Sequence, residues 1–353
     1  MTQEYRLDKI GYINRKKIIS FKFNGKKYSG YEGDTLASAL LANGIHLVGR
    51  SFKYHRPRGF IGAGSDEPNA KVQLYNKEEK NEPNVLATEV ELVEGLTAKS
   101  QNCWPSVSFD FGAINNLFSK FFPAGFYYKT FMWPKNFWYK IYEPVIRKAA
   151  GLGVAPLKPD PDRYEHKFEY CDVLVAGSGP AGISTALAAA KNGAKVILTE
   201  EKPRFGGSLL SDEVTIGNKN GKDWADESIS QLKSMPNVIV KNRSQVFGYY
   251  DHNMMVMFER IKDHIESPNK YTPRQRLWYI RAKEVIASTG SIERPLVFGN
   301  NDRPGIMLAS AAKEYLRVYG VLVGKKPIIF TNNDSAYETA IDFKKNGINP
   351  IVI

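Results

Sequence analysis

Three glycines, Gly177, Gly179 and Gly182, carry the most specific chemistry in this chain of 353 residues. They lie in DVLVAGSGPAG (Asp172 to Gly182), where a short apolar run enters Gly177-Ser178-Gly179-Pro180-Ala181-Gly182 and an alanine-rich stretch follows from Ile183 to Asn192. Strand, tight turn and helix is the geometry that receives a dinucleotide pyrophosphate. Gly177 makes the turn, Gly179 lets backbone approach the phosphates at a helix N-terminus, and Gly182 lets the helix lie close on the strand. The context on both sides separates this pattern from a chance spacing of glycines.

A second strand, Lys195 to Glu200 (KVILTE), ends in a carboxylate 23 positions after Gly177. A dinucleotide unit places there the acid that accepts from a ribose 2′-hydroxyl. Glu201 and Lys202 follow, and two adjacent acids repel a 2′-phosphate, so the pattern favours NAD or FAD over NADP. It does not separate those two, because both present the same ADP half. Gly206-Gly207-Ser208 supplies a flexible turn, and Val285 to Gly290 (VIASTG) predicts a further strand returning the chain to the nucleotide at Thr289 and Gly290. No Ser-His-Asp set, metal cluster or paired acid and base stands out, so no catalytic residue and no metal site is expected.

The elements that must position these residues are those of an α/β protein with more than one domain. The length allows two or three cores. The formal charge of +12 comes without a nucleic-acid motif, and it is read as a solvated basic surface. Cys103 and Cys171 stand far apart, which gives neither a disulfide framework nor a zinc site. No run approaches the roughly 18 to 20 apolar residues of a membrane span, and the N-terminus shows no apolar core of a secretory signal. A cytoplasmic protein is expected.

Ile18 to Phe23 alternates toward a turn at Asn24-Gly25, Lys26 to Tyr31 continues beyond it, and Glu32-Gly33-Asp34 precedes a short apolar helix, Thr35 to Asn43. Strands are also expected over Lys71–Tyr75 and Val85–Val93. Strand, strand, helix is how a β-grasp domain begins. The predicted division is 1–98 for that domain, 99–168 for an aromatic-rich connector, 169–300 for a Rossmann-like FAD/NAD(P)-binding domain, and 301–353 for the truncated start of a second nucleotide-type domain. In that last segment Lys326–Thr331 and Pro350–Ile353 read as strands around a helix, Ala336–Lys345, and Asn332 and Asn333 stand where glycines would be needed. Two strands and one helix cannot bury a core alone, so the chain is expected to be a fragment. The connector is dense in aromatics, as in FFPAGFYYKTFMWP (Phe121 to Pro134), and these are expected to be buried, against another subunit or domain or as a core within the chain. Prolines argue against docking on a membrane surface.

The stretch RSFKYHRPRG (Arg50 to Gly59) with FIGAGSDEPN after it resembles the ferredoxin-like domain of amine and amino-acid dehydrogenase subunits, in which a C-x4-C-x2-C run and a later cysteine hold a two-iron cluster. On that alignment the ligand positions fall on Ile61, Asp66, Asn69 and Thr88, none a thiolate, so a cluster-less scaffold is expected. The basic residues Arg50, Lys53, His55, Arg56 and Arg58 are open to two readings, a cradle for a phosphate or acidic partner and a solvated loop. Over its whole length, through SQNCWPS, AGFYYKTFMWP, RKAAGLG, GSGPAG and STGSIERP, the chain resembles the alpha subunits of heterotetrameric sarcosine oxidases. That resemblance implies a flavin-dependent complex with beta, gamma and delta subunits that oxidatively demethylates sarcosine to glycine and passes the one-carbon unit to tetrahydrofolate. It implies NAD on this subunit, flavin mononucleotide at the interface with a partner, and a folate-binding C-terminal domain beyond this sequence. By the same resemblance Gly177, Ala181 and Gly182 meet the pyrophosphate, Glu200, Glu201 and Lys202 surround the adenosine ribose, and Ser208 and Val246 complete the pocket. The rival readings are an FAD-binding subunit of an amine or opine dehydrogenase or cyanide-forming oxidoreductase, and an interaction scaffold whose nucleotide fold is vestigial.

Overall fold

A computed structural model describes residues 3–75, 81–123, 125, 130–149 and 151–353. The chain divides into two compact units, one of Met1–Asp160 with Glu293–Ile353 and the other of Pro161–Ile292.

The first unit begins with β1 (Asn14–Phe23) and β2 (Lys26–Glu32), paired so that Phe23 faces Lys26 across the Asn24-Gly25 turn. Both turn residues have positive φ, 49° and 80°, which matches the twist of a two-residue hairpin. Helix α1 (Leu36–Ala42) is buried along its whole length, and it starts on a capping box in which Thr35 and Ser38 satisfy each other's backbone N–H groups. Strands β3 (Lys71–Tyr75), β4 (Asn81–Leu86) and β5 (Thr97–Ser100) complete a sheet of order β2-β1-β5-β3-β4. Pairing is parallel only between β1 and β5. The strand expected over Val85–Val93 ends at Leu86, because the Ala87 and Val90 carbonyls beyond it accept from Ala37 N and Leu36 N at the start of α1 instead.

The basic loop is structural. Arg56 and Arg58 both pair with Asp302, Arg50 donates to the carbonyls of His55 and Val107, and His55 Nδ1 lies 2.6 Å from the buried Asp110 carboxylate. Of the two readings of the connector, a core within the chain is not what its described residues form: many of its aromatics are exposed, with Trp133 at 81%, Tyr139 at 83% and Phe121 at 76%, while Phe122, Phe131, Trp138 and Tyr142 are half-buried. Among its described residues the segment makes the short pieces Phe111–Asn116 and Ser119–Phe121, and a helical stretch of Trp138–Tyr142 continued by Glu143–Ala149. Phe126, Tyr127 and Tyr128 of the aromatic run lie outside the described residues.

In the second unit β6 (Tyr164–Ala176) leads into α2 (Pro180–Lys191), β7 (Val196–Thr199), α3 (Gly221–Ser234) and β8 (Val238–Lys241). A meander of β9 (Ser244–Tyr250), β10 (Met254–Arg260) and β11 (Gln275–Ala287) closes the sheet in the order β8-β7-β6-β11-β10-β9. The first three strands are parallel, and β11 runs parallel to β6 over almost its full length. Helix α2 turns Ile183, Ala186 and Ala190 inward at helical spacing onto Val175, Val196 and Leu198, and α3 adds Ala225, Ile229 and Leu232. The other sheet face packs Leu174, Ile197, Met257, Trp278 and Ile280.

After this unit the chain rejoins the first one through α4 (Ala309–Tyr319) and α5 (Ser335–Lys345), with β12 (Ile328–Ile329) and β13 (Ile351–Val352) paired in parallel. The segment expected to lack a core shares one: Leu316, Ile329, Ala340 and Phe343 pack together with Leu7. Tyr5, Leu7 and Tyr12 hydrogen-bond to Leu322, Gly320 and Val318, and Arg6 pairs with the fully buried Asp34 while donating to the Tyr319 carbonyl.

Candidate functional site

The glycine turn is built by contacts that forbid side chains. Gly177 has φ +100°, and a β-carbon there would run into the Ser288 carbonyl; one on Gly182 would run into the Gly177 carbonyl. Helix α2 is thereby seated against the strand end. At Gly179, the N-cap of α2, an added β-carbon would meet nothing within 4 Å. The cap has no side-chain acceptor and Pro180 opens the helix, so no cap side chain takes up the first-turn N–H groups. Anions are stabilised at such an end.

Ser178 and Glu200 couple this turn to the second strand. Glu200 is 7% exposed; its Oε2 accepts from Ser178 N at 3.1 Å and from Ser178 Oγ at 2.6 Å, while Oε1 accepts from Lys202 N at 3.0 Å. A carboxylate has about four lone-pair directions, so one on Oε1 stays available to a ribose hydroxyl. Gly206 N donates to both the carbonyl and the Oγ of Ser178. Gly207 is packed so closely that its β-carbon would lie 2.9 Å from Gly179 Cα. Ser178, a mere spacer in the glycine pattern, therefore joins the glycine turn, the acid and the second glycine pair. Only its buried position in the fold reveals that role.

The remaining residues gather in part. Arg243 N donates to the Lys202 carbonyl and Ser244 N to the Glu200 carbonyl, which brings the start of β9, with Val246 two residues on, beside the end of β7. Glu201 is held by its carbonyl to Arg260 and by its carboxylate to Gln245 at 3.4 Å. Strand β11 ends at Ala287 opposite Ala176, so Thr289 and Gly290 emerge exposed beside the Gly177 turn. Ala181 and Ser208 are exposed on the same unit. Beneath the turn, Asp172 accepts from Lys195 N and pairs with Lys283 at 2.8 Å; the Lys283 bond holds its carboxyl down at about 2. Cys171 beside it is pushed up to about 12 by burial, an inert thiol.

Comparison with known proteins agrees with this architecture. Residues 16–103 match the family described as 2Fe-2S iron-sulfur cluster binding domain, and residues 172–244 match that of FAD dependent oxidoreductases. The chain is 53% identical over 349 residues to the sarcosine oxidase alpha subunit of Rhizobium meliloti (strain 1021), covering 99% of this chain and 35% of that protein. It is 34% identical over 339 residues to the protein of the same description from Corynebacterium sp. (strain P-1), covering 95% of this chain and 30% of that protein. The chain is a relative of the sarcosine oxidase alpha subunits. It spans about a third of the length of those relatives. One of the opine oxidase subunits of Agrobacterium tumefaciens (strain Ach5) is 26% identical over 175 residues, covering 46% of this chain and 33% of that protein. Among solved structures, L-proline dehydrogenase from P. horikoshii superposes with a TM-score of 0.66 at 21% identity, covering 99% of this chain and 55% of that one, a likeness of fold.

The iron-sulfur match is tested by the residues that would have to hold a cluster. Ile61, Asp66, Asn69 and Thr88 offer no thiolate, both cysteines of the chain lie elsewhere, and Thr88 Oγ1 is spent on the Gly64 carbonyl. Among the described residues no group of three or more His, Cys, Asp or Glu converges as metal ligands. The donor set does not fit a two-iron cluster. Among the described residues, too, no helix is long and apolar enough to cross a membrane.

Proposed function

We propose that Pro161–Ile292 is the dinucleotide-binding unit of a sarcosine oxidase-type alpha subunit, with the ADP half of NAD laid over Gly177–Gly182. The observation that carries this is the open, uncapped α2 N-terminus at Gly179, with the Glu200 carboxylate fixed at the next strand end. In this reading Gly177, Ser178, Gly179, Pro180, Ala181 and Gly182 shape the pyrophosphate seat. Glu200, Glu201 and Lys202 border the ribose, Val246 the adenine, and Gly207, Ser208, Thr289 and Gly290 the rest of the pocket. A bound dinucleotide supplies hydride or electron chemistry; the residues of this chain bind and orient it, and none is assigned a proton transfer. The match of residues 172–244 to FAD dependent oxidoreductases favours FAD as the second reading. On the family resemblance we extend the proposal to a complex with beta, gamma and delta subunits, in which flavin mononucleotide binds at an interface and tetrahydrofolate receives the one-carbon unit from sarcosine. A component of an amine or opine oxidoreductase is the alternative assembly. The division at 1–98, 99–168, 169–300 and 301–353 is kept as the assignment of roles within the chain, and cytoplasmic assembly as its setting.

The test is acid release of nucleotide from the purified chain and chromatographic identification. One NAD per chain, without flavin absorbance, is the expected result. FAD released in its place moves the redox chemistry onto this chain, and no nucleotide at all overturns the assignment.

A further inference from the structure

The loop that the iron-sulfur family uses to hold its cluster is folded here around a side chain of its own. Glu67 is 3% exposed, and its carboxylate accepts four backbone N–H groups: Oε2 takes Ile61 at 2.6 Å and Gly62 at 2.8 Å, and Oε1 takes Asn69 at 2.6 Å and Ala70 at 3.1 Å. Two of these donors, Ile61 and Asn69, stand at positions the sequence aligns with cluster ligands. In a cluster loop the peptide N–H groups point at anionic sulfur. Here the same kind of convergence is satisfied by a carboxylate.

We infer that the Glu67 carboxylate takes the place of a two-iron cluster as the anionic centre of the Ile61–Ala70 loop, which turns a redox loop into a structural latch. The carbonyls of the same segment turn the other way. Ile61 offers its carbonyl to Leu308 N at 2.9 Å, and Gly62 offers its own to the Tyr315 hydroxyl at 3.0 Å, with Tyr315 fully buried in α4. Glu67 thus holds the N–H of the Ile61–Gly62 peptide, whose C=O accepts from Leu308 just before α4, and the next carbonyl, that of Gly62, takes the α4 tyrosine. The neighbouring carboxylate, Asp66, does not compete, since it folds back on Gly64 N at 3.0 Å. Removing Glu67 leaves four N–H groups without their acceptor, two of them, on Gly62 and Ala70, buried, and such groups are costly to leave unpaired.

The experiment uses the whole protein with any partner subunits. It is incubated anaerobically with ferrous iron and sulfide, then assayed for bound iron, acid-labile sulfide and the electron paramagnetic resonance of the reduced sample. Hydrogen exchange is followed in wild type, Glu67→Gln and Glu67→Asp. The wild type is expected to retain no stoichiometric iron or sulfide and to protect the amides of Ile61, Gly62, Asn69 and Ala70. Glu67→Gln, which keeps the size and loses the second acceptor oxygen, is expected to lose protection at Asn69 and Ala70 or at Ile61 and Gly62 by at least about tenfold, with protection in α4 falling alongside. Glu67→Asp, too short to reach both pairs, loses more. Two irons and two sulfides per chain with a reduced-cluster signal would overturn the inference, as would fast exchange of the four amides in the wild type. So would Glu67→Gln with unchanged loop protection and Tm.

Discussion

At the residue scale the three fingerprint glycines make separable predictions. Gly179→Val adds a side chain into open space at the phosphate seat, so nucleotide binding is lost while Tm stays within a few degrees of wild type. Gly182→Ala drives a methyl into the Gly177 carbonyl, so both binding and stability fall, the latter by roughly 1–3 kcal/mol as typical of overpacking. Calorimetric melting with released-nucleotide assay distinguishes the two; a Gly179→Val chain that still carries one nucleotide would refute the phosphate seat. Ser178→Ala removes the hydroxyl from the buried Glu200 carboxylate, and a loss of roughly 1–3 kcal/mol is expected, with nucleotide affinity reduced. The glycines and Glu200 are legible in the sequence because spacing alone encodes them. Ser178 and Glu67 are not, since their meaning depends on which N–H groups the folded backbone aims at them, and a serine or glutamate in a loop carries no mark of that in the sequence.

Elements differ in how openly the sequence shows them. The hairpin at Asn24-Gly25 and the helix after Thr35 are legible because turn chemistry and capping are local. The meander β9–β10–β11 shows only at its ends, around Val246 and Val285; the place of β11 in the sheet rests on its pairing with β6, about 110 positions earlier, which no local pattern reveals. The connector is legible only in part. Aromatic density says that surface should be covered, but not by what, and within this chain many of the described aromatics, Trp133 and Tyr139 among them, are exposed. Beneath the fingerprint, Asp172 links β6 to Lys195 and to Lys283 of β11. Its carboxyl is held at about 2 by the Lys283 bond, below an unfolded value near the ordinary 3.8. The folded state therefore binds fewer protons here, and the stabilisation is present above about pH 4 and lost as pH falls through about 2. Nuclear magnetic resonance titration should place Asp172 well below other exposed aspartates, and Lys283→Met should return it toward the ordinary range.

For the molecule as a whole, the decisive pairing is between the chain's first residues and its last segment. Arg6 and Asp34 are 3% and 0% exposed in their side chains, and Arg6 also holds the Tyr319 carbonyl. Arg6→Ala leaves Asp34 as a buried charge without its guanidinium, at a cost of roughly 3–5 kcal/mol, measurable by denaturant titration of the first unit. Taken by itself, 301–353 looks like a nascent separate domain because Lys326–Thr331, the following helix and Pro350–Ile353 repeat the strand-helix-strand signature. No local pattern reveals that Leu7 and Phe343, more than three hundred positions apart, belong to one core.

That arrangement sets an order of events on the ribosome. Pro161–Ile292 is uninterrupted and can complete its sheet as soon as it emerges, whereas Met1–Asp160 must wait for Glu293–Ile353 to be made. At synthesis rates of about 5–20 residues per second, the interval is on the order of 10 s. Through that interval Leu7 and the Ile61 and Gly62 carbonyls have no partners from α4 or α5. Of the two units, the one begun first closes second, and in the interval its unpaired surface is open to proteolysis and aggregation.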